Sequence, residues 1–129
     1  MVKQKILFCV IDPLGNKIKL LQETFEKHII VRHPEMRNHV VDIQNAITDP
    51  FLIGSSTKNK NSIIYLNQFK AKSEKSYIVV AVKYIKKLDK IILTAFTTKN
   101  LGLNKINQIL WQNPKIKNYI THIPELHKN

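Results

Sequence analysis

The sequence contains one cysteine and three glycines, and each shortage excludes a class of site. With Cys9 alone, neither an intrachain disulfide nor a cysteine-rich metal site can form, which fits a reducing cytoplasm. The glycines fall in no loop pattern, so a glycine-rich phosphate loop and a nucleotide triphosphatase are excluded. We therefore expect a cytoplasmic protein that uses no cofactor.

Long hydrophobic runs and metal-ligand spacings are also lacking. The apolar run over residues 6–11 is too short to span a membrane, and the Asp12-Pro13 that follows it is unlike a signal cleavage site. No two of the five histidines have the i, i+4 spacing of a helical zinc site. The sequence predicts neither a membrane segment nor a metal site.

Acidic residues are few, with 9 Asp and Glu against 21 Lys and Arg, which gives a net charge of +12. Such a charge attracts a polyanion, and nucleic acid is the first partner that we expect. An AT-rich coding sequence would impose a similar surplus of Lys, Ile and Asn, so charge alone is a weak argument. Arg32 and Arg37 are the only arginines. Their planar guanidinium groups match phosphate, which makes their clustering informative.

The residue patterns predict an α+β fold that opens with a hairpin and two helices. Residues 4–11 and 17–20 have the composition of two strands, and Asp12-Pro13-Leu14-Gly15-Asn16 between them is typical of a turn. Apolar residues then recur at helical spacing over about 21–31 and again from Pro34 to Ile47. Pro34 separates the two helices, because it lacks an amide hydrogen and clashes with the preceding turn.

Four strand-like segments follow, and they predict a four-stranded antiparallel β-meander. Each is rich in β-branched or aromatic residues, and polar clusters of hairpin length separate them. The segments are residues 51–55, 62–69, 76–84 and 90–98. Beyond them, the pattern predicts helices at about 104–111 and after Pro114. We therefore expect one domain over 1–100 and a C-terminal helical extension over 101–129 that packs on the same domain.

The break between the two predicted helices is a candidate anion site. The amides at 35–37 would lack partners inside a helix that begins there, and the positive end of its dipole would be exposed. Arg32, His33 and Arg37 would surround a bound phosphate, and His28 would lie one turn before Arg32 on the same face.

Structural roles for the same residues compete with this interpretation. His28 could be a core histidine, His33 a helix cap, Arg32 a partner of Glu35 or Glu26, and Arg37 a solvated residue. Spacing alone leaves these alternatives open, because structural ion pairs resemble functional sites.

Polar residues on the predicted strands could complete such a site. They are Tyr65, Lys83, Thr94, Thr97 and Thr98. Whether their strand faces coincide depends on the pairing register, which the sequence does not contain. Each also has an ordinary role, since threonine is common in strands and tyrosine often lies at a sheet rim.

Several of these motifs together resemble a known family. They are, in chain order, Asp12-x-x-Gly15, His28-x-x-x-Arg32-His33-Pro34-Glu35, Asp49-Pro50, the strand over 77–83 and the strand over 93–98. Over about residues 12–98 the chain resembles the phage-associated branch of the barnase/EndoU/colicin/RelE-like nuclease superfamily. The resemblance implies two helices before a four-stranded sheet and a metal-independent ribonuclease, often a toxin. It implies His28, Arg32, Lys83 and Thr94 as catalytic residues, beside the His33-Pro34-Glu35 element.

Metal-free RNA cleavage needs a base for the 2′-hydroxyl, a cation for the phosphorane and an acid for the leaving oxygen. His28 could be base or acid and Arg32 the phosphate clamp, supported by Lys83, with Thr94 or Tyr65 positioning the phosphate. His33, Glu35, Arg37, Thr97 and Thr98 would bind the substrate, and the product would carry a 2′,3′-cyclic phosphate.

Two other functions stay open at this point. The first alternative is a non-catalytic nucleic-acid-binding module on the same scaffold, and the second is an interaction protein whose basic face meets an acidic partner. An antitoxin or immunity protein would be a further partner of a toxin. The sequence leaves the oligomeric state open.

Overall fold

The computed structural model describes residues 5–58, 60–69, 76–84, 89–99 and 106–116, which form a seven-stranded mixed sheet with two short helices on one face. The strands are β1 Ile6–Ile11, β2 Lys17–Leu21, β3 Leu52–Ser56, β4 Ser62–Gln68, β5 Tyr77–Tyr84, β6 Asp89–Thr98 and β7 Ile106–Gln112. Helix α1 covers residues 22–32, helix α2 is Val40–Thr48, and a 3-10 turn at Pro34–Met36 lies between them.

The strand order across the sheet is β1-β2-β6-β5-β4-β3-β7. All neighbouring pairs are antiparallel except β2 and β6, which pair in parallel at residues 17–19 and 89–91. The N-terminal hairpin and the C-terminal strand therefore extend the two ends of one continuous sheet.

This architecture shows that the predicted arrangement of a hairpin, two helices, a four-stranded meander and a helical extension is wrong. The hairpin belongs to the same sheet as the later strands, because β2 pairs with β6. The predicted helix at 104–111 is largely strand β7, which pairs with β3. After Pro114 the described chain has only a 3-10 turn, Pro114–Ile116, and residues 101–105 and 117–129 lie outside the described residues.

Gly54 explains why β7 can pair so closely with β3. It lies opposite Ile109 in the ladder, at a point where the register shifts. A Cβ atom at Gly54 would lie 2.5 Å from Cγ2 of Ile106 and 3.2 Å from the carbonyl oxygen of Gln108. Only a residue without a side chain fits there, so this edge of the sheet depends on glycine.

The helices cover one face of the sheet, which we call the helix face. Phe25 and Ile29 of α1 and Ile43 of α2 are buried against strand residues such as Val80 and Ile92. In α2 the buried positions Ile43, Ala46 and Ile47 follow the helical period, as an amphipathic helix requires.

The opposite face, which we call the far face, differs between its two ends. Around β3 and β4 it carries a second buried apolar cluster that includes Leu52, Leu66 and Val79. Around β1 and β2 it stays open, and Lys17 and Ile11 are exposed there. We call the part around β1 and β2 the open end of the far face.

Helix α1 is not a regular α-helix. Its middle, Phe25–Ile29, is π-helical, with the Ile30 amide donating to the Phe25 carbonyl five residues earlier. The additional residue in this turn shifts the i, i+4 alignment on which the predicted pairing of His28 and Arg32 depended. Both side chains are exposed, so His28 is not a core histidine.

Candidate nucleic-acid interface

The segment between the helices packs along β6 beyond the point where β2 ends. His33 has non-helical backbone angles (φ −134°, ψ 73°) because Pro34 follows it, and buried Met36 anchors the turn. The Glu35 carboxylate accepts hydrogen bonds from the backbone amide of Thr97 (3.4 Å) and from its hydroxyl (3.2 Å). The structure therefore brings together the predicted site residues His33, Glu35 and Thr97.

His33 lies between Glu35 and an aromatic ring. Its Nδ1 atom is 4.0 Å from the Glu35 carboxylate, and its ring stacks on Phe96 with centroids 5.2 Å apart. Partial burial raises the pKa of Glu35, but hydrogen bonds from its own amide and from Thr97, together with the charge of His33, lower it by more. The net pKa of Glu35 lies below its usual value, so the carboxylate stays ionised and holds the turn against β6.

The predicted anion site at a helix N-terminus does not form at this turn. The Met36 amide donates to the His33 carbonyl (2.9 Å), and the Arg37 amide donates to the Pro34 carbonyl (3.1 Å). Helix α2 begins only at Val40. Two of the three amides expected to hold an anion are therefore already used within the 3-10 turn. Arg37 and its neighbour in sequence Asn38 are exposed.

The four residues implied as catalytic are divided between the two faces of the sheet. His28 and Arg32 are exposed on α1, which packs on the helix face. Lys83 and Thr94 each adjoin a residue of the helix-face core along its own strand, so their side chains point to the far face. The sheet lies between the two pairs, and no single phosphate can contact all four.

Two other predicted substrate-binding residues do not lie in solvent near Lys83. Thr98 follows Thr97 at the junction end of β6 and pairs with Tyr77, about 20 Å along β5 from Lys83. Tyr65 is fully buried, and its hydroxyl donates a hydrogen bond to the Asp12 carboxylate. Tyr65 therefore cannot contact a substrate, because a core contact with the first hairpin occupies it.

The Asp12 carboxylate organises a buried polar network beneath the first hairpin. It also accepts from the amides of Leu14 (2.9 Å) and Asn16 (2.7 Å) and from the Asn16 side chain (3.0 Å). The ammonium group of Lys90, which is 1% exposed, donates to the Asn16 side-chain oxygen (2.7 Å). Burial raises the pKa of Tyr65, and the Asp12 hydrogen bond and charge raise it further. The hydroxyl stays protonated, and the network attaches the turn to the sheet.

A row of directly paired residues crosses the open end of the far face. From β1 to β4 it consists of Cys9, Lys19, Ile91, Lys83 and Ser62. Neighbouring strands are about 4.8 Å apart, so Lys19 and Lys83 lie about 10 Å apart on either side of Ile91. Lys17 is two residues from Lys19 on the same face. We call Lys17, Lys19 and Lys83, grouped around Ile91, the lysine surface.

The lysines of the lysine surface form no ion pair with any described residue. Asp89 lies opposite Lys17 in the ladder, but neither Lys17, Lys19 nor Lys83 forms an ion pair there. Lys17 and Lys83 are exposed and Lys19 is half-buried, which lets each aliphatic stem lie on the sheet while the ammonium group reaches water. The surface can attract phosphate groups without first breaking an internal ion pair.

Sequence reasoning identified Lys83 but missed Lys17 and Lys19. The missed signal was the alternation Lys17-Ile18-Lys19-Leu20, which puts both lysines on one face of β2. Their approach to Lys83 depends on the parallel pairing of β2 with β6, and no local pattern contains that information.

A separate polar pocket lies between α2 and β4. It has a volume of 320 Å³ and is lined by Asp42, Asn45, Asp49, Asn67 and Gln68. Both carboxylates already accept contacts, Asp42 from His39 (2.8 Å) and Asp49 from Asn113 (3.0 Å). Its acidic lining does not suit a polyanion.

Comparison with known proteins found no matching protein-family model, no matching curated protein and no matching solved structure. Among the described residues, no helix is long and apolar enough to cross a membrane. Within the same part of the chain, no group of three or more His, Cys, Asp or Glu side chains could hold a metal ion.

Proposed function

We propose that the protein binds RNA without cleaving it, through the lysine surface. The observation that carries this proposal is the arrangement of Lys17 and Lys19 on β2 and Lys83 on β5, the two strands that flank β6, with no ion pair to a described residue. Lysine contacts to phosphate supply most of the sequence-independent affinity of nucleic-acid-binding proteins. The net charge of +12 strengthens the attraction over longer distances.

The chemistry of the lysine surface favours single-stranded RNA with little base preference. A sheet face offers a broad platform along which a flexible strand can lie. The centre of this surface is the aliphatic Ile91, and none of the residues that define the surface is aromatic. Binding should therefore depend on phosphate charge more than on base stacking, and it should fall steeply as salt rises.

The ribonuclease hypothesis stays a prediction. A nuclease needs its acid, base and cation around one phosphate. Since the sheet separates His28 and Arg32 from Lys83 and Thr94, the geometry supports binding better than cleavage. The two functions are separated by incubating labelled RNA with the protein in excess chelator and looking for products with 2′,3′-cyclic ends.

The test is fluorescence anisotropy of a labelled single-stranded RNA titrated with the full chain. Lys19→Ala and Lys83→Ala should each weaken binding and lower its salt dependence. Lys58→Ala and Lys115→Ala are the matched controls, because both lysines are exposed, lie away from the lysine surface and remove the same charge.

Three results would overturn the proposal. The first is no binding to RNA at low salt, and the second is an equal loss of affinity in the surface and control variants. The third is tighter binding to an acidic protein such as polyglutamate than to RNA at equal charge, which would favour the interaction protein.

A further inference from the structure

The outer edge of β1 presents unpaired backbone groups. Among the described residues β1 is the last strand of the sheet, and only β2 pairs with it. The Asp12 amide donates to the Asn16 carbonyl (3.0 Å). In an antiparallel ladder every second residue bonds to the same neighbour, so the backbone N–H and C=O groups of Val10 and Phe8 also point toward β2. The N–H and C=O groups of Cys9 and Ile11 therefore point away from the sheet.

The side chains of this edge are apolar and exposed. The strand Ile-Leu-Phe-Cys-Val-Ile has no charged residue, proline or glycine. Ile6 is 50% exposed, Leu7 39% and Ile11 60%, and Cys9 is exposed as well. Proteins usually protect an edge strand with lysines, prolines or a covering loop, because open edges pair with other strands. Among the described residues, a register shift at Leu7 is the one such feature of β1.

We propose that β1 pairs in antiparallel fashion with β1 of a second copy of the chain. The net charge of +12 opposes the approach of a second copy, but β1 has no charged side chain, so the two contacting strands add no like-charge pair of their own. A second copy would also place apolar side chains opposite apolar side chains. This inference is independent of RNA binding.

Two-fold symmetry restricts the register of such a pair. If both copies present the same sheet face on the same side, the two-fold axis is perpendicular to the sheet. Such an axis places one residue of β1 opposite the same residue of the second copy. Centring the axis on Cys9 uses the regular stretch between the bulge at Leu7 and the turn at Asp12. Cys9 then lies opposite Cys9 of the second copy, and Ile11 lies opposite its Leu7.

The resulting dimer has two expected properties. A contact of one short strand buries less than the roughly 1,200 Å² of a stable interface, so the association should be weak and concentration-dependent. The two sheets would become one, and the Lys19 residues of the two copies would lie about 14 Å apart across three strand spacings. The lysine surfaces would then form one larger basic face.

The first test is sedimentation velocity of the reduced full chain over a range of concentrations. We expect a monomer–dimer equilibrium that Cys9→Lys weakens about fivefold or more, because two ammonium groups would lie directly opposite each other. Val41→Lys is the matched control: Val41 is 67% exposed on α2, and the variant adds the same charge away from β1. Thermal unfolding establishes that both variants fold.

The second test uses the oxidant diamide to trap the register as a disulfide. Two Cys9 thiols form the S–S bond, and their two electrons and two protons pass to diamide. The Cα atoms of directly opposite residues are about 5.5 Å apart in a bonded antiparallel pair, within the range that a disulfide accepts. We expect rapid cross-linking of the wild type. The Cys9→Ser/Ile11→Cys variant should cross-link slowly, because its thiols would be offset by four residues.

Either of two outcomes overturns the proposal. One is a monomer at every concentration, and the other is a dimer that Cys9→Lys and Val41→Lys affect equally. Equal cross-linking of the two cysteine positions would reject the Cys9 register. RNA binding is measured separately by anisotropy, so a failure there leaves this result unaffected.

Discussion

The salt dependence of RNA binding gives the sharpest test of the lysine surface. The perturbation is the triple variant Lys17→Ala, Lys19→Ala and Lys83→Ala, which removes the charges that lie around Ile91 on the far face. For single strands, log K falls with log salt by about 0.7 per phosphate contact. Removal of three contacts should therefore reduce the slope by about two.

This slope can be expressed as a change in affinity. Between about 50 mM and about 200 mM salt, a slope difference of two changes the affinity ratio about 16-fold. The wild type should lose about 16 times more affinity over this interval than the triple variant does. Anisotropy titrations at the two salt concentrations measure both ratios directly.

The control is a second triple variant, Lys27→Ala, Lys58→Ala and Lys115→Ala, which changes the net charge equally. All three residues are exposed and none lies on the lysine surface. If both triple variants lower the slope to the same extent, the attraction comes from total charge and the lysine surface is not a binding site.

Three further predictions concern residues that hold the fold together. Gly54→Ala should destabilise the chain by about 1–3 kcal/mol in urea unfolding, because the added methyl group would overlap Ile106, and an unchanged midpoint would contradict the close packing of β7. Glu35→Gln should be destabilising at neutral pH. Folding lowers the pKa of Glu35 from 4.5, so the stability difference between wild type and variant should persist above pH 4.5 and disappear as the pH falls through the folded pKa. A stability difference that does not change with pH would exclude the proposed charge effect. Tyr65→Phe should cost about 1–3 kcal/mol in thermal unfolding, since the buried Asp12 carboxylate loses a donor, and a neutral effect would mean that this contact contributes nothing.

Local patterns contained the positions of the central strands. The runs at Ser62–Gln68 and Tyr77–Tyr84 are rich in β-branched and aromatic residues, as expected for strands buried in a sheet. The segment at about 104–111 predicts a helix because Ile106, Ile109 and Leu110 have helical spacing, but most of it is strand β7. It becomes a strand because β3 offers a free edge with Gly54 at the point of closest approach.

The site could be predicted only in part, because its residues meet through long-range pairing. The association of His33 and Glu35 with Thr97 required the position of the 3-10 turn along β6. The division of His28 and Lys83 between two faces follows from the strand order, which no spacing in the sequence reveals. Composition indicated a polyanion partner, but the surface that would bind it depends on topology.

The attachment of the first hairpin to the sheet has a consequence for folding kinetics. The turn is held by Tyr65, 53 residues from Asp12, and by Lys90, 74 residues from Asn16. Such distant contacts can form only after long chain segments have closed, at an entropic cost that slows folding. We expect the hairpin to dock after the rate-limiting barrier. Tyr65→Phe should then accelerate unfolding while leaving the refolding rate nearly unchanged.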